Sequence, residues 1–441
     1  MHVSDQSRAP LFRTFLLGLL LFAVQAIAAA PDETPPDEWP RDSWQLNDVT
    51  EIALRSRAEV SVANARAEAL AQRPAIVGAL EDPMVSPSVD HYPFDMPEEE
   101  GEMGEGGGRR YDWSVSVEQR FPLSRVRGHR KVAAQADAQR ARALAYGTEL
   151  DVVLEAQRSF FMLIERRRMQ RVLEEQLVLA QQVVNASSSR YASGIGLQAD
   201  VLRAEVEVAR VQGSQQALSA QTRAAEAMLN ASLGRAPRAA IPELVHVSSR
   251  DLPLPPEAVI ERALLRRPEL AAGEAEVKRA AAEIEVMRSM YKPMAMVRVG
   301  RATTMAEGPG AMIMIGVSVP IWRDRLRAGV AEARAMQRMA DADLTAMRVM
   351  VESEAVAASE TVSAARSQLV VLEDEVIPRA QAATEAALAA YSSGRGTLVS
   401  VIESARTWWD VQAEQVMAEA ALGEAWARLN RATGRTREVR P

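Results

Sequence analysis

Residues 190–201 read "RYASGIGLQADV", and residues 390–401 read "AYSSGRGTLVSV". Tyr191, Ser193, Gly194, Gly196 and Val201 recur as Tyr391, Ser393, Gly394, Gly396 and Val401, an offset of 200 (391 − 191). The same offset carries Leu229, Asn230, Gly234 and Arg235 onto Leu429, Asn430, Gly434 and Arg435. A Gly-rich turn written twice inside long Ala-rich sequence marks an internal duplication, and a duplication constrains the fold before any local propensity does.

The match continues toward the N-terminus. "EIALRSRAEVSVANARAEAL" from Glu51 aligns with "ERALLRRPELAAGEAEVKRA" from Glu261, and Pro83-Met84 with Pro293-Met294, both offset by 210. "FPLSRVRGHRKVAA" aligns with "VPIWRDRLRAGVAE" at an offset of 198, through Pro122 and Pro320, Arg125 and Arg323, Arg127 and Arg325, and Val132 and Val330. The first half therefore carries 12 extra residues (210 − 198) in "YPFDMPEEEGEMGEGGGRRY". That stretch is rich in Gly and Glu and lacks periodicity, so it reads as an exposed loop.

Each half predicts one plan: a helix (about 49–80 and 256–289), a strand, a loop, a strand, a very long helix (about 125–188 and 325–388), the quoted turn, and a last helix (about 198–232 and 398–432). The divisions expected are a signal peptide over 1–28, a flexible mature start over 29–48, a first repeat over 49–240, a linker over 241–255, a second repeat over 256–435, and a tail over 436–441. Leu173, Leu177, Ala180 and Val184 step by 4, 3 and 4 along one helical stripe. At ~1.5 Å per residue, a helix of about 64 residues spans about 95 Å. A helix that long needs coiled-coil neighbours along its length.

Composition narrows the classes. A net charge of −7 argues against broad nucleic-acid binding. The absence of cysteine excludes disulfides, thiolate metal sites, a cysteine nucleophile and a lipidated N-terminal cysteine. Arg8 and Arg13, the apolar run "LLGLLLFAVQAIA" and the small-x-small site Ala26-Ile27-Ala28 read as an export signal. No later stretch is apolar and long enough for a membrane helix. His2, His91, His129 and His246 are scattered, and no catalytic or cofactor motif is visible, so the chain does not read as an enzyme.

The strands argue against a plain rod of helices. "WSVSVEQRF" sets Trp113, Val115, Val117 and Phe121 on one face and Ser114, Ser116, Glu118 and Arg120 on the other. "MAMVRVGRA" sets Ala295, Val297 and Val299 against Met294, Met296, Arg298 and Gly300. "MIMIGVSVPI" sets Ile313, Ile315, Val317, Val319 and Ile321 on one face. Each segment is near the ~9–11 residues of a tilted membrane-spanning strand. Tyr92, Trp113, Phe121, Tyr291 and Trp322 lie near the ends, where interfacial aromatics belong. Open sheet edges cannot face lipid, so four strands require a barrel shared between copies. A small soluble hairpin sheet is the competing reading of the same alternation.

At this level of detail the chain resembles the TolC-like outer-membrane efflux proteins, over about residues 49–435. The resemblance rests on "RYASGIGLQADVLRA", "YSSGRGTLVSVIESA", "RRPELAAGEAEV" and the strand–"FPL"–long-helix passage. It implies an α+β membrane channel: a homotrimer with a twelve-stranded barrel in outer-membrane lipid above a periplasmic α-barrel. It also implies partners, namely a periplasmic adaptor and an inner-membrane pump, with no cofactor and no nucleic acid. The adaptor-docking tip is expected at Tyr191, Gly194, Gly196, Asp200, Tyr391, Gly394 and Gly396. The gate is expected at Tyr391, Arg395 and Glu403, with Ser400 where some members have a second acid and Gly396 where a gate arginine can sit. All four tip glycines are expected to supply positive φ. Three copies of Glu403 make an acidic constriction that favours cations.

Cargo stays open between heavy-metal cations, small toxic compounds or drugs, and secreted polypeptides of a type I system. Met84, Met294, Met296, Met312 and Met314 fall opposite the aliphatic face, and His91, Met96 and Met103 add to the loop. Thioethers favour soft cations such as Cu(I), which makes Met294, Met296, Met312 and Met314 weak metal candidates; flexible filling of a narrow lumen explains them equally. A periplasmic coiled-coil tether is the alternative from another class.

Overall fold

The computed structural model describes residues 42–90, 112–245, 253–304 and 308–435. The signal segment, the loop Pro93–Arg110 with Met96 and Met103, His91, and the tail 436–441 lie outside these residues. The first half runs β1 (Ser43–Trp44), α1 (Leu46–Ser56), α2 (Ala58–Gly78), β2 (Met84–Asp90), β3 (Asp112–Pro122), α3 (Val126–Ala192) and α4 (Gln198–Ser232). The second runs β4 (Glu243–Leu244), α5 (Pro256–Arg266), α6 (Pro268–Ser289), β5 (Met294–Thr304), β6 (Gly308–Ser318), α7 (Arg323–Val371), a π-turn (Leu372–Val376), α8 (Ile377–Ser392) and α9 (Leu398–Ala432). Among the described residues no helix is long and apolar enough to cross a membrane.

The 67 residues of α3 form one unbroken helix, about 100 Å long at ~1.5 Å per residue. Seven of its 22 buried positions are Ala, and Phe161 is buried where α9 crosses. There Gly423 leaves the space: an added Cβ would lie 2.3 Å from the Phe161 ring. The equivalent helix of the second half does not run unbroken to its tip as expected. It loosens to a π-turn at Leu372–Val376, immediately before Pro378. Proline has no N–H for the residue four back, so the ladder slips by one. Val178 stands at the matching place in α3 and keeps the bond.

The first helix of each half is also two helices, not one. Arg57 and Arg267 sit extended at the breaks, with φ/ψ of −76/122 and −65/120. Pro268 follows the second break and disfavours helical geometry at Arg267. Arg57 donates to Glu59 and Glu155, both at 2.9 Å, and Arg267 donates to Glu269 and Glu354, both at 2.9 Å. Over each break presses the glycine that ends the last helix: Gly234 (φ 66) against Ser56 and Gly434 (φ 71) against Arg266. A Cβ there would come within 2.7 Å of the Ser56 carbonyl oxygen and 2.8 Å of that of Arg266. This accounts for the repeated "LN…GR". Arg431 completes the belt, reaching Asp151 at 2.6 Å and Glu269 at 2.5 Å. Burial pushes the Glu269 carboxyl up, but the Arg431 hydrogen bond and the charges of Arg431 and Arg267 hold it below the usual carboxylate range.

The mature start, expected to stay irregular through residue 48, is ordered from Ser43. Strand β1 pairs in parallel with β4 of the linker, Ser43 with Glu243 and Trp44 with Leu244. The buried Trp44 ring lies under the Arg235 guanidinium at 4.8 Å. Arg167 holds the same linker by donating to the Pro242 carbonyl at 2.7 Å. The Pro-rich joint is therefore tied down at its centre.

Candidate functional site

The four long strands form one antiparallel sheet in the order β2-β3-β5-β6. The two halves meet at β3 and β5, where Val117 faces Val299 and Glu118 faces Arg298. Because side chains alternate, the register sorts two faces. On one, Val85, Val117, Val299 and Ile313 make a row across all four strands. That face is open, with Ile313 and Ile315 72% and 74% exposed. On the other, Met84, Glu118, Arg298 and Met314 make the adjacent row. Glu118 is only 5% exposed and accepts from Arg298 and from Arg120, the latter at 3.1 Å.

The alternation thus sets the methionines on the polar face. Met312 stands beside Gly300, Met296 beside Arg120 and Gly316, and Met294 beside Pro122 and Ser318. Their cross-strand neighbours are the Glu118–Arg298 ion pair, Arg120, glycines, Pro122 and Ser318. No group of three or more His, Asp or Glu among the described residues is arranged for a metal. At the base of the sheet Tyr291 lies beneath the Arg323 guanidinium, 5.9 Å from its ring, and Trp322 and Phe121 are exposed.

At the far end of the long helices both quoted turns have the same backbone. Arg190 O accepts from Ile195 N at 3.0 Å and Gly196 N at 2.9 Å; Ala390 O accepts from Arg395 N at 2.9 Å and Gly396 N at 3.0 Å. Gly194 and Gly394 take the left-handed conformation, φ 74 and 80. Gly196 and Gly396 do not, which corrects the expectation for them. They are needed for close approach, since a Cβ at either would lie 2.9 Å from the tyrosine amide nitrogen. The repeated serines cap the ending helices: Ser193 Oγ donates to Ser189 O at 2.6 Å and Ser393 Oγ to Ala390 O at 3.1 Å.

The two tyrosines part company. Tyr391 is 2% exposed, inside a cluster with Val183, Ala204, Leu398 and Val401. Its hydroxyl meets Ser187 Oγ at 3.4 Å, and Arg190 both lies over its ring at 4.8 Å and donates to its carbonyl at 2.8 Å. Tyr391 therefore offers no side-chain surface to a docking partner, contrary to expectation, because the end of α3 covers it. It joins the two tips of the chain. Tyr191 in the same local sequence is 50% exposed. Arg190 and Ser187 were not singled out from the sequence. The signal lay in the duplication, where Ala390 and Ala387 replace them.

Glu403 lies on the exposed stripe of α9 with Ser400, Thr407, Asp410 and Glu414, opposite the buried Leu398, Val401, Ala405 and Trp409. The matching stripe of α4 is internally neutralised. Asp200 is 4.0 Å from Arg203, and the buried Glu207 pairs with Arg210 at 3.5 Å and with Arg406. Arg395 is exposed and donates to Ser393 Oγ at 3.3 Å. The net acidic face at the tip is thus on α9.

A family model described as outer membrane efflux protein matches residues 49–235 and 259–435. The cobalt-zinc-cadmium resistance protein CzcC of Cupriavidus metallidurans is 25% identical over 318 residues, which is 71% of this chain and 75% of that protein. Among solved structures, CusC superposes with a TM-score of 0.76 at 15% identity, covering 90% of this chain and 96% of that one. The outer-membrane channel OprN gives a TM-score of 0.75 at 18% identity, covering 88% and 89%.

Proposed function

The chain belongs to the outer membrane efflux protein family, and from that premise we propose that three copies close one twelve-stranded barrel over a common periplasmic tunnel. It is an outer-membrane channel with a periplasmic extension, of a family that works with an adaptor and an inner-membrane pump. The family is one of transporters, not enzymes.

The observation that carries the assembly is the sheet. It has an aliphatic outer face, a polar inner face, strands of 11 residues at β3, β5 and β6, and edges at β2 and β6. In lipid those edges must pair with other copies. Two copies give eight strands, whose bore side chains nearly fill; three give twelve and leave a passage. Conduction is passive, driven by the pump. The cargo that best fits is divalent metal cations. The support is the likeness to CzcC and the acidic stripe of Glu403, Asp410 and Glu414 on α9, which in a ring of three favours cations. Met84, Met294, Met296, Met312 and Met314 line the barrel without a fixed binding site. Adaptor hairpins dock on the tip surface of the exposed Gly194, Ile195, Leu197, Gly394 and Arg395 and the half-buried Gly196, Asp200 and Gly396, and Glu403 stands at the entrance.

Fractionation and susceptibility test this together. The protein should resist carbonate and urea extraction and run as a heat-sensitive trimer. A deletion strain should lose tolerance to cobalt, zinc or cadmium. Extraction by urea favours the tether instead, and sensitivity to antibiotics alone makes organic compounds the cargo.

A further inference from the structure

We propose that the cavity under the base of the sheet binds a phosphate-type oxyanion, one per chain, held by Arg130, Lys292 and Arg325. This rests on the outer-membrane placement above and is independent of the number of copies.

The cavity measures about 610 Å³ and lies where the strands pass into the helices. Pro122, Met294 and Ser318, the last row of the polar face, border it on the sheet side. Arg127 and Arg130 line it from the start of α3, Arg325 from the first turn of α7, and Lys292 from the turn between α6 and β5. Arg127 is already engaged, donating to the Gly78 carbonyl at 3.0 and 2.8 Å. The other three cations have no such partner. Among the described residues the wall carries one acid, Glu81, and no carboxylate forms an ion pair with Arg130, Lys292 or Arg325. Elsewhere Arg57, Arg267, Arg279, Arg406 and Arg431 each hold a carboxylate. Four cations against one acid leave the wall with three positive charges (4 − 1).

The chemistry of the wall names the ligand. Helix α3 has no acid in its first turn, and Asp324 of α7 is taken up by Arg327. Helix starts carry partial positive charge, so cations gathered beside them favour an anion in their midst. Guanidinium and ammonium groups drawn from three elements suit a phosphate, whose oxygens accept from several donors at once. The apolar part of the wall favours a lipid as the source. Val319, Ile321 and Trp322 line the same cavity, and all three are exposed. The strands of 11 residues above it span the hydrocarbon. That sets the first helical turns at the depth of the periplasmic headgroups. A basic pocket with an apolar rim at that depth fits an anionic phospholipid. A free phosphate would use the cations alone.

The purified protein in detergent is titrated with phosphatidylglycerol, phosphatidylcholine and inorganic phosphate, the lipids read by native mass spectrometry and phosphate by calorimetry. Wild type should hold one phosphatidylglycerol per chain in preference to phosphatidylcholine. Arg130→Gln with Lys292→Gln and Arg325→Gln should weaken that binding about a hundredfold, at about fivefold per cation. Arg348→Gln with Arg379→Gln and Arg428→Gln removes equal charge from exposed ion pairs and should leave it unchanged. An equal loss in this control overturns the cavity, because net charge alone would then explain the binding. Lys292 lies outside the helices, so Lys292→Gln gives a fivefold reading even where the triple variant fails to fold, and Lys292→Arg should keep wild-type affinity. Phosphate bound by wild type and lost in the variants, with no preference for phosphatidylglycerol, supports the cavity and makes free phosphate its ligand. Wild-type affinity of Lys292→Gln and of the folded triple variant for both ligands overturns the proposal. Release of wild type from membranes by urea overturns the outer-membrane placement and with it the lipid, while the phosphate titration still reads the cavity.

Discussion

Tyr391→Ala should open the tip without unfolding the protein. The ring is wholly enclosed by Val183, Ala204, Leu398 and Val401. Removing an aromatic side chain from such a site costs about 3–5 kcal/mol, most of it transfer and cavity free energy. The Arg190 guanidinium at 4.8 Å contributes about 0.5–1 kcal/mol more. The cost falls locally, since α3 and α9 stay clamped below by Ala180, Ala405 and Trp409 and farther down by Phe161 over Gly423. A loss near 4 kcal/mol shifts a local closed-to-open ratio by about three powers of ten. Tyr391→Phe keeps the ring and gives up only the hydroxyl contact with Ser187 at 3.4 Å, at most about 1 kcal/mol. The assay is single-channel conductance in planar bilayers, with trimer content and thermal unfolding measured beside it. The alanine variant should show a large increase in time-averaged current at near wild-type unfolding temperature, and phenylalanine should resemble wild type. Wild-type current from intact Tyr391→Ala trimers would refute the latch. Equal opening by both variants would refute ring burial as its source and leave the hydroxyl.

Gly394→Val should cost about 1–2 kcal/mol at φ 80, where a side chain is strained. Valine at this turn should impair export while trimer assembly persists, and loss of the trimer band would show that the turn serves folding. Glu403→Ala should lower the channel's cation preference and weaken block by divalent or trivalent cations, read from reversal potentials; if Asp200→Ala changes them and Glu403→Ala does not, α4 forms the inner wall. The belt should be acid-labile. With its folded pKa depressed, the Glu269 carboxylate contributes stability that is full above the unfolded value of about 4.3 and is lost as pH falls through the lower folded one. Glu269→Gln should be less stable than wild type at neutral pH and show a shallower decline below pH about 4. A parallel acid decline in both proteins would place the lability elsewhere.

Much of the architecture was legible because it is periodic. Two copies of one plan, helix 198–232 with its repeat 398–432, and the alternation of β3, β5 and β6 follow from spacing alone. The polar face of Glu118, Arg298 and the methionines follows as well, since strand side chains must alternate. Other features were written locally but masked by a stronger pattern. Pro378 interrupts the second long helix, and Pro268 ends α5, although the apolar stripe runs through both places.

What no local reading supplied concerns pairs of residues with the same neighbours in sequence. Tyr191 and Tyr391 share one motif, yet one is open and the other closed over by Ser187 and Arg190. Four glycines share another, yet only Gly194 and Gly394 use positive φ. Glu403 and Arg203 match in the repeat, yet the acidic stripe survives only on α9, because Arg210 and Arg406 neutralise Glu207 of α4. The sequence alone determined the elements and their duplication, because backbone periodicity is a property of the chain. Only the tertiary structure decided which copy of each motif latches and which stays free, because burial and charge pairing depend on elements that are distant in the chain.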